Sequence, residues 1–413
     1  MKKLLLLFFS FILLQTSCSD SFELEQTVEF KQENDLENNF SVGMNEAVII
    51  ASQALDRLNN SFVDSRNSSK SRTVKQVLTY PTSQSRVAET SLYIVNFEEG
   101  GFAIVSADER TTDVYALSNE GEFKLDNVNS AYFMNMITTC FNEEIDSISS
   151  QGTDVSIAAE QPAPEGPEIY AKIEYEGREC YWYSETTQTT PFNLLVTNWS
   201  QGEPYRHFCF TESGENAVAG CVPIAMAQIM AYHKRPNSFN NHTYYWDYLT
   251  QSSTISTTSY WADNVAYLVH DIGVDANVDY GTEETGANNS NAVLTFRNFG
   301  YSATLKEYVL NDIISALDDS EPVYISGVRI ETTTNGDTEP KGHAWVLDGY
   351  YEETTEDRYY DVETLEIVYN SINRKYYLHC NWGWGNSNCY CLSKVFTVGT
   401  RCYDRDFSLI YVK

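Results

Sequence analysis

The chain has 413 residues, 42% of them apolar, which is enough for two or three domains with sizeable cores. Its 58 Asp and Glu outnumber 27 Lys and Arg, for a formal charge of −31. Such a surface repels nucleic acid and anionic lipid at long range, so a partner of either kind that binds by charge is excluded.

Residues 1–18, MKKLLLLFFSFILLQTSC, begin with Lys2 and Lys3 and continue in an apolar run too short to span a bilayer. That is an export signal. Small residues before Cys18 resemble a bacterial lipoprotein processing site, so Cys18 is expected to carry lipid and to be the chain's tie to a membrane. Residues 19–42 are polar and acidic, a tether. Next, SVGMNEAVIIASQALDRLNNSF sets Met44, Ala47, Val48, Ala51, Ala54, Leu55 and Leu58 on one helical face. After a polar loop come the strand-like runs VKQVLTY, TSLYIVNFE, GGFAIVSAD and VYALSNEGEF, with Gly100 and Gly101 as a hairpin turn. A second helix, NSAYFMNMITTCFNEEIDSI, completes a smaller α+β domain over residues 43–149. Residues 150–171 include AAEQPAPEGPEI, rich in proline and without periodicity, a linker open to proteases. Residues 172–413 form a second, aromatic-rich domain.

In that domain, GENAVAGCVPIAMAQIMAYHKRP carries Cys221. Pro223 fits only the first turn of a helix, so the helix begins at Cys221 or Val222 and stops before Pro236. Val222, Ala225, Met226, Ile229 and Met230 make a buried stripe, and the segment is apolar on most sides, as a central helix is. Unpaired N–H groups and the helix dipole favour thiolate at such an N-terminus. Gly220, lacking Cβ, lets the backbone pass close to a bound carbonyl, and the Cys221 N–H could then donate to an oxyanion. On this segment alone a nucleophile and a buried structural cysteine stand about level.

Downstream, KGHAWVLDGYY reads as a glycine turn at Gly342 followed by a strand that begins with His343. After a variable hairpin, KYYLHCNWGWGNSN runs as a strand into a Gly/Trp loop. Asn381 is placed to accept from one ring N–H of His343 and leave the other nitrogen for the thiol. Trp382 and Trp384 would shield that pair from water. This reading requires the Cys221 sulfur and the His343 imidazole to meet in a cleft that the leading domain can plug. Asp348 lies at odd spacing from His343 on one strand, faces the other way, and is rejected as the orienting acid.

Taken together, GCVPIAMAQIMAYHKRP, GHAWVLDGY and NWGWGN resemble the streptopain family of bacterial cysteine peptidases, with a papain-like fold. The resemblance implies an α+β catalytic domain, a central helix packed on an antiparallel sheet, with Cys221 as nucleophile and His343 as general base. It makes Asn381 and Trp382 their support. NWSQGEPYRHFCF resembles the family's oxyanion segment and implies that role for Gln201. GGFAIVSADERTTDVYALSNEGEF resembles the family's pro-segment, so the leading domain would be the chain's own inhibitor. The implied activity is an exported endopeptidase, made as a zymogen, acting on protein or peptide through a thioester. A papain-like acyl transferase or amidase keeps the same chemistry as an alternative. An inactive surface-binding protein, using aromatic loops, is the alternative from another class. Two features depart from the family pattern: Arg206 after Pro-Tyr, and GNSN after the tryptophan pair.

Neither cofactor nor metal is called for. Cys380, Cys389, Cys391 and Cys402, even with His379, have no standard zinc spacing, and disulfides or thiols are expected. His233 is expected to be structural, its charge agreeing with the helix C-terminal dipole. His207, His242 and His270 have no partner identifiable from sequence.

Overall fold

Helix α1 (Met44–Asn60) buries Ala47, Ala51, Ala54, Leu55 and Leu58, the stripe its spacing predicts, and leaves Met44 exposed. It belongs to a computed structural model that describes residues 40–60, 72–81, 90–125, 128–150, 171–283, 285–332, 338–385, 388–396 and 407–413. The export signal, Cys18, most of the tether and the linker, and Cys402 lie outside the described residues.

Strands β1 (Val74–Pro81), β2 (Thr90–Phe97), β3 (Phe102–Ser106) and β4 (Val114–Ser118) follow α1 as an antiparallel meander. Gly100 and Gly101 turn β2 into β3 with φ of 87° and 96°. A Cβ at Gly101 would lie 2.6 Å from the Ser118 carbonyl oxygen, so only glycine fits there. Helix α2 (Val128–Ser150) closes this leading α+β block.

The remaining elements are β5 (Ala171–Tyr175), β6 (Arg178–Gln188), α3 (Cys221–His233), β7 (Ser238–Phe239), β8 (His242–Thr243), α4 (Trp246–Leu249), α5 (Ala262–Asp275), α6 (Asn289–Asn298), β9 (Ala303–Glu307), α7 (Leu310–Asp318), β10 (Val323–Thr332), β11 (Thr338–Asp361), β12 (Ile367–Asn381), β13 (Cys389–Leu392) and β14 (Ser408–Val412). Their main sheet runs β13-β12-β11-β10-β14-β9, antiparallel throughout, and β6 with β5 extends the far half of β11. The leading meander joins it. β4 pairs with β13 at Tyr390↔Leu117 and Cys391↔Ala116, so one sheet runs through both blocks.

Side-chain alternation along the central strands builds two cores. Tyr324, Ala344 and Val346 face α3 and its apolar neighbours. Ile325, Trp345 and Leu347 face the other way, into a cluster shared with α1 and α2. Ten of the thirteen residues of α3 are buried, and Lys234, in the left-handed region at φ 52°, ends the helix before Pro236. This is the expected arrangement of a central helix on an antiparallel sheet. One local expectation fails: Gly342 forms no turn and His343 begins no strand. Both lie inside β11, opposite Val328 and Gly327, because β11 extends back to Thr338. Among the described residues no helix is long and apolar enough to cross a membrane.

Candidate active site

Cys221 is the first residue of α3 and is half-buried. Gly220 precedes it at φ 89°, and a Cβ there would stand 2.8 Å from Cγ2 of Thr285. Thr285 is fixed in turn, donating from Oγ1 to the Val218 carbonyl at 2.8 Å. Glycine at 220 is therefore required both by backbone sterics and by its neighbour. The Ala219 N–H donates to the Gln201 carbonyl at 3.1 Å, and Ser200 bridges to Trp384. These contacts lay the Gln201 segment between the head of α3 and the Gly/Trp loop. Tyr324, fully buried on the α3 side of the sheet, lies within electrostatic reach of the Cys221 thiol.

His343 is buried on the opposite face of the sheet. Its ring stacks on Trp345 (5.8 Å, 14°), lies 5.0 Å from Trp384 and meets the edge of Tyr132 at 5.9 Å. Nε2 is 3.0 Å from the Trp382 carbonyl. Burial pulls the imidazole down to about 4, although that carbonyl favours the charged form. At neutral pH the ring is uncharged. A carbonyl can only accept, so Nε2 carries the proton. The meeting of thiol and imidazole expected from sequence is thus not what holds this ring. It is bonded to Trp382 and turned toward α2. Gly327, paired with His343, leaves room for both Phe407 and α2: a Cβ there would lie 2.6 Å from Cε1 of Phe407 and 2.7 Å from the Tyr132 hydroxyl.

Asn381 is a second correction. Its Oδ1 accepts from Gln228 Nε2 at 3.0 Å and its Nδ2 donates to the Thr197 carbonyl at 2.8 Å. The Trp382 carbonyl, not the Asn381 side chain, receives the His343 proton. Trp382 and Trp384 stack on each other at 5.1 Å, and both lie against the His343 ring, at 6.3 and 5.0 Å. Gly342 is exposed, and a Cβ there would make only ordinary contacts, so nothing reserves the position for glycine. Asp348 does face away from His343. It is fully buried, bonded to His379 Nδ1 at 2.6 Å and to the Leu195 N–H at 3.0 Å.

The other histidines find partners that sequence did not reveal. His242 and His270 flank Asp271 at 2.7 and 3.9 Å, and His207 lies 3.7 Å from Glu203, which also pairs with Arg206. Burial, helped by Arg235, pulls His233 down to about 4, so it is neutral and the charge–dipole argument for it fails. Cys380, Cys389 and Cys391 are buried thiols, Cys380 directly across from Cys389, and burial pushes all three up.

The leading block covers this site. Besides Tyr132 on His343, Phe133 meets Trp382 edge-on at 5.1 Å. Glu144 of α2 accepts from Lys394, Arg57 of α1 pairs with Glu353, and Asp113 pairs with Lys375. None of these contacts was legible from the sequence, because each joins residues far apart in it.

A papain-like scaffold with a thiol at the head of its central helix, and with its own N-terminal segment laid over the histidine, defines an inhibitor-covered cysteine-peptidase domain. Residues 199–390 match the Peptidase C10 family, and residues 40–143 match the Spi protease inhibitor. Streptopain of Streptococcus pyogenes is 26% identical over 332 residues, 72% of each chain. The thiol protease/hemagglutinin PrtT of Porphyromonas gingivalis is 24% identical over 75% of this chain and 35% of its own. The fold is that of a prointerpain A fragment of Prevotella intermedia (TM-score 0.52, 20% identity, 81% of this chain, 98% of that one). Residues 199–390 thus match a C10 cysteine-peptidase domain in a streptopain homologue, and an inhibitor-like segment leads it, the organisation of a protease zymogen.

Proposed function

We propose that this protein is a cysteine endopeptidase and that the structure described is its inactive precursor. Cys221 attacks the scissile carbonyl as thiolate. His343 takes the thiol proton and returns it to the leaving amine. The Cys221 N–H and the Gln201 side chain hold the oxyanion. Residues 43–149 act as the pro-domain and 172–413 as the catalytic domain, with cleavage within 150–171. Departure of α2 frees the His343 ring to turn toward the thiol. The observation that carries the reading is the pairing of Ala219 with Gln201, which sets the thiol-bearing helix end beside the oxyanion segment, while Tyr132 occupies the face of His343. Residues 1–18 support export and lipid attachment at Cys18.

The test compares wild-type and Cys221→Ala chains for maturation and for casein cleavage, with epoxide labelling of the matured enzyme. Wild type should mature, cleave casein and label at Cys221. A Cys221→Ala chain that still cleaved casein would overturn the assignment.

A further inference from the structure

Gln228 is the single polar side chain among the ten buried residues of α3, and no part of it reaches solvent. A buried amide is costly unless both its ends are hydrogen-bonded, and an apolar residue would fill the space without that demand. Both ends are used. Oε1 accepts from the Trp199 N–H at 3.0 Å, and Nε2 donates to Asn381 Oδ1 at 3.0 Å. Asn381 completes the circuit by donating to the Thr197 carbonyl at 2.8 Å. The orientation is unambiguous. A backbone N–H requires the oxygen of Gln228, and a backbone carbonyl requires the nitrogen of Asn381, so the remaining ends must face each other as donor and acceptor.

Three stretches of chain meet at this amide pair. One is α3, with Cys221 at its head. The second is the Thr197–Trp199 stretch, two residues before Gln201. The third is the end of β12, where Asn381 precedes the carbonyl that holds His343. We propose that Gln228 is a positioning residue for the thiol chemistry. It fixes the Gln201 segment and the Asn381–Trp382 segment to the helix that carries the nucleophile. The inference rests on the reading of Cys221, His343 and Gln201 given above. Gln228 touches no reacting atom, and its effect is on geometry. A displacement of about 1 Å far from the chemistry can cost about 10²-fold in rate.

The experiment matures full-length wild-type, Gln228→Met and Gln228→Glu chains and measures peptide hydrolysis per thiol titrated by an epoxide, with total peptide hydrolysis by an identically treated Cys221→Ala chain as the control. Gln228→Met should lower kcat about 10- to 100-fold per titrated site and leave KM within about twofold. Gln228→Glu supplies the distinguishing readout. A protonated carboxyl accepts from Trp199 and donates to Asn381 as the amide does, whereas the ionised form has no donor. Burial raises the introduced carboxyl's pKa, so the ratio of Gln228→Glu to wild-type activity should be highest in acid and fall as pH rises. A merely structural role would lower yield and Tm but leave kcat per titrated site unchanged and the pH ratio flat; either result overturns the proposal. If Gln228→Met fails to fold, the pH ratio of Gln228→Glu decides alone. An active Cys221→Ala chain refutes the peptidase assignment itself. A dead one beside unaltered Gln228 variants refutes this inference only.

Discussion

Replacing Tyr132 with alanine should release the precursor's hold on its own histidine. Tyr132 is 6% exposed, and its ring meets His343 at 5.9 Å and Trp345 at 6.5 Å. Removing a buried aromatic side chain costs about 3–5 kcal/mol when the cavity cannot collapse. The packed rings of Trp345, Trp382 and Trp384 leave little room for collapse. Taking about 3 kcal/mol as the loss from the docked state, the undocked population rises about 10²-fold, since about 1.4 kcal/mol is a factor of ten. The assay is maturation of the purified precursor, followed by gel and by hydrolysis of a fluorogenic peptide. Tyr132→Ala should mature far faster than wild type, and Tyr132→Phe should stay close to it. Leu55→Ala, which opens a cavity in the leading core away from His343, controls for general loosening of the segment. The reasoning is refuted if Tyr132→Ala remains as silent as wild type, or if Leu55→Ala, at equal loss of stability, releases activity equally.

Gly220→Ala forces a side chain into φ 89° and toward Thr285, so α3 should start one residue out of place. The matured variant should fold but label at Cys221 at least tenfold more slowly, by epoxide kinetics. Gln201→Ala should lower kcat about 10²–10³-fold with little change in KM, measured on a peptide substrate. Acid should loosen the precursor. Burial pulls His343 down to about 4 from an ordinary 6.5, so the docked state binds fewer protons than the open one and loses stability as pH falls between those values. Burial pushes Glu144 up, but Lys394, Tyr115 and Thr112 outweigh it and leave the carboxyl below the ordinary 4.5, so its contribution is present above 4.5 and lost below it. Burial raises Glu353, which opposes both. Hydrogen exchange of α2 against pH should show protection falling below about 6.5, at higher pH in Glu353→Gln than in wild type.

What the sequence disclosed was local. Pro223 fixes the first turn of α3 and Pro236 bars its extension, because proline acts on its own turn of helix, and the helix runs from Cys221 to His233. The α1 stripe and the Gly100–Gly101 turn are likewise properties of a few adjacent residues. The surroundings of His343 were not local. They are set by α2, by Gly327 and by two tryptophans after β12, and no spacing in GHAWVLDGY reports them. Asn381 lies on β12 opposite Val346 of β11. Its Oδ1 accepts from Gln228 because a buried amide on the central helix needs a partner more than a ring already bonded to a carbonyl. The signal was in the sequence, as one polar residue in the otherwise apolar stretch 222–231. The continuity of the sheet through β4 and β13 left no mark, because an edge strand that will be covered reads like any other.

The means by which the leading block holds on also indicate what activation must accomplish. β4 meets β13 through two register pairs. The ion pairs of Arg57, Asp113 and Lys394 each have a partly exposed member, and such pairs contribute about 1 kcal/mol or less. The larger share lies in the buried side chains of α2, among them Tyr132, Phe133, Ile137 and Phe141, which complete a core with Trp345 and Trp382. Cutting a linker removes none of that buried area, so a nicked precursor keeps its histidine covered until α2 departs. That departure has three consequences at once. It rehydrates His343 and lets its pKa rise toward the ordinary value. It withdraws the Tyr132 hydroxyl from beside Gly327, where Phe407 stays. It exposes the Trp382 face to substrate. On the proposed activation, charge, ring freedom and access switch together with the motion of one helix, and a partial loosening that leaves Tyr132 in place should yield none of the three.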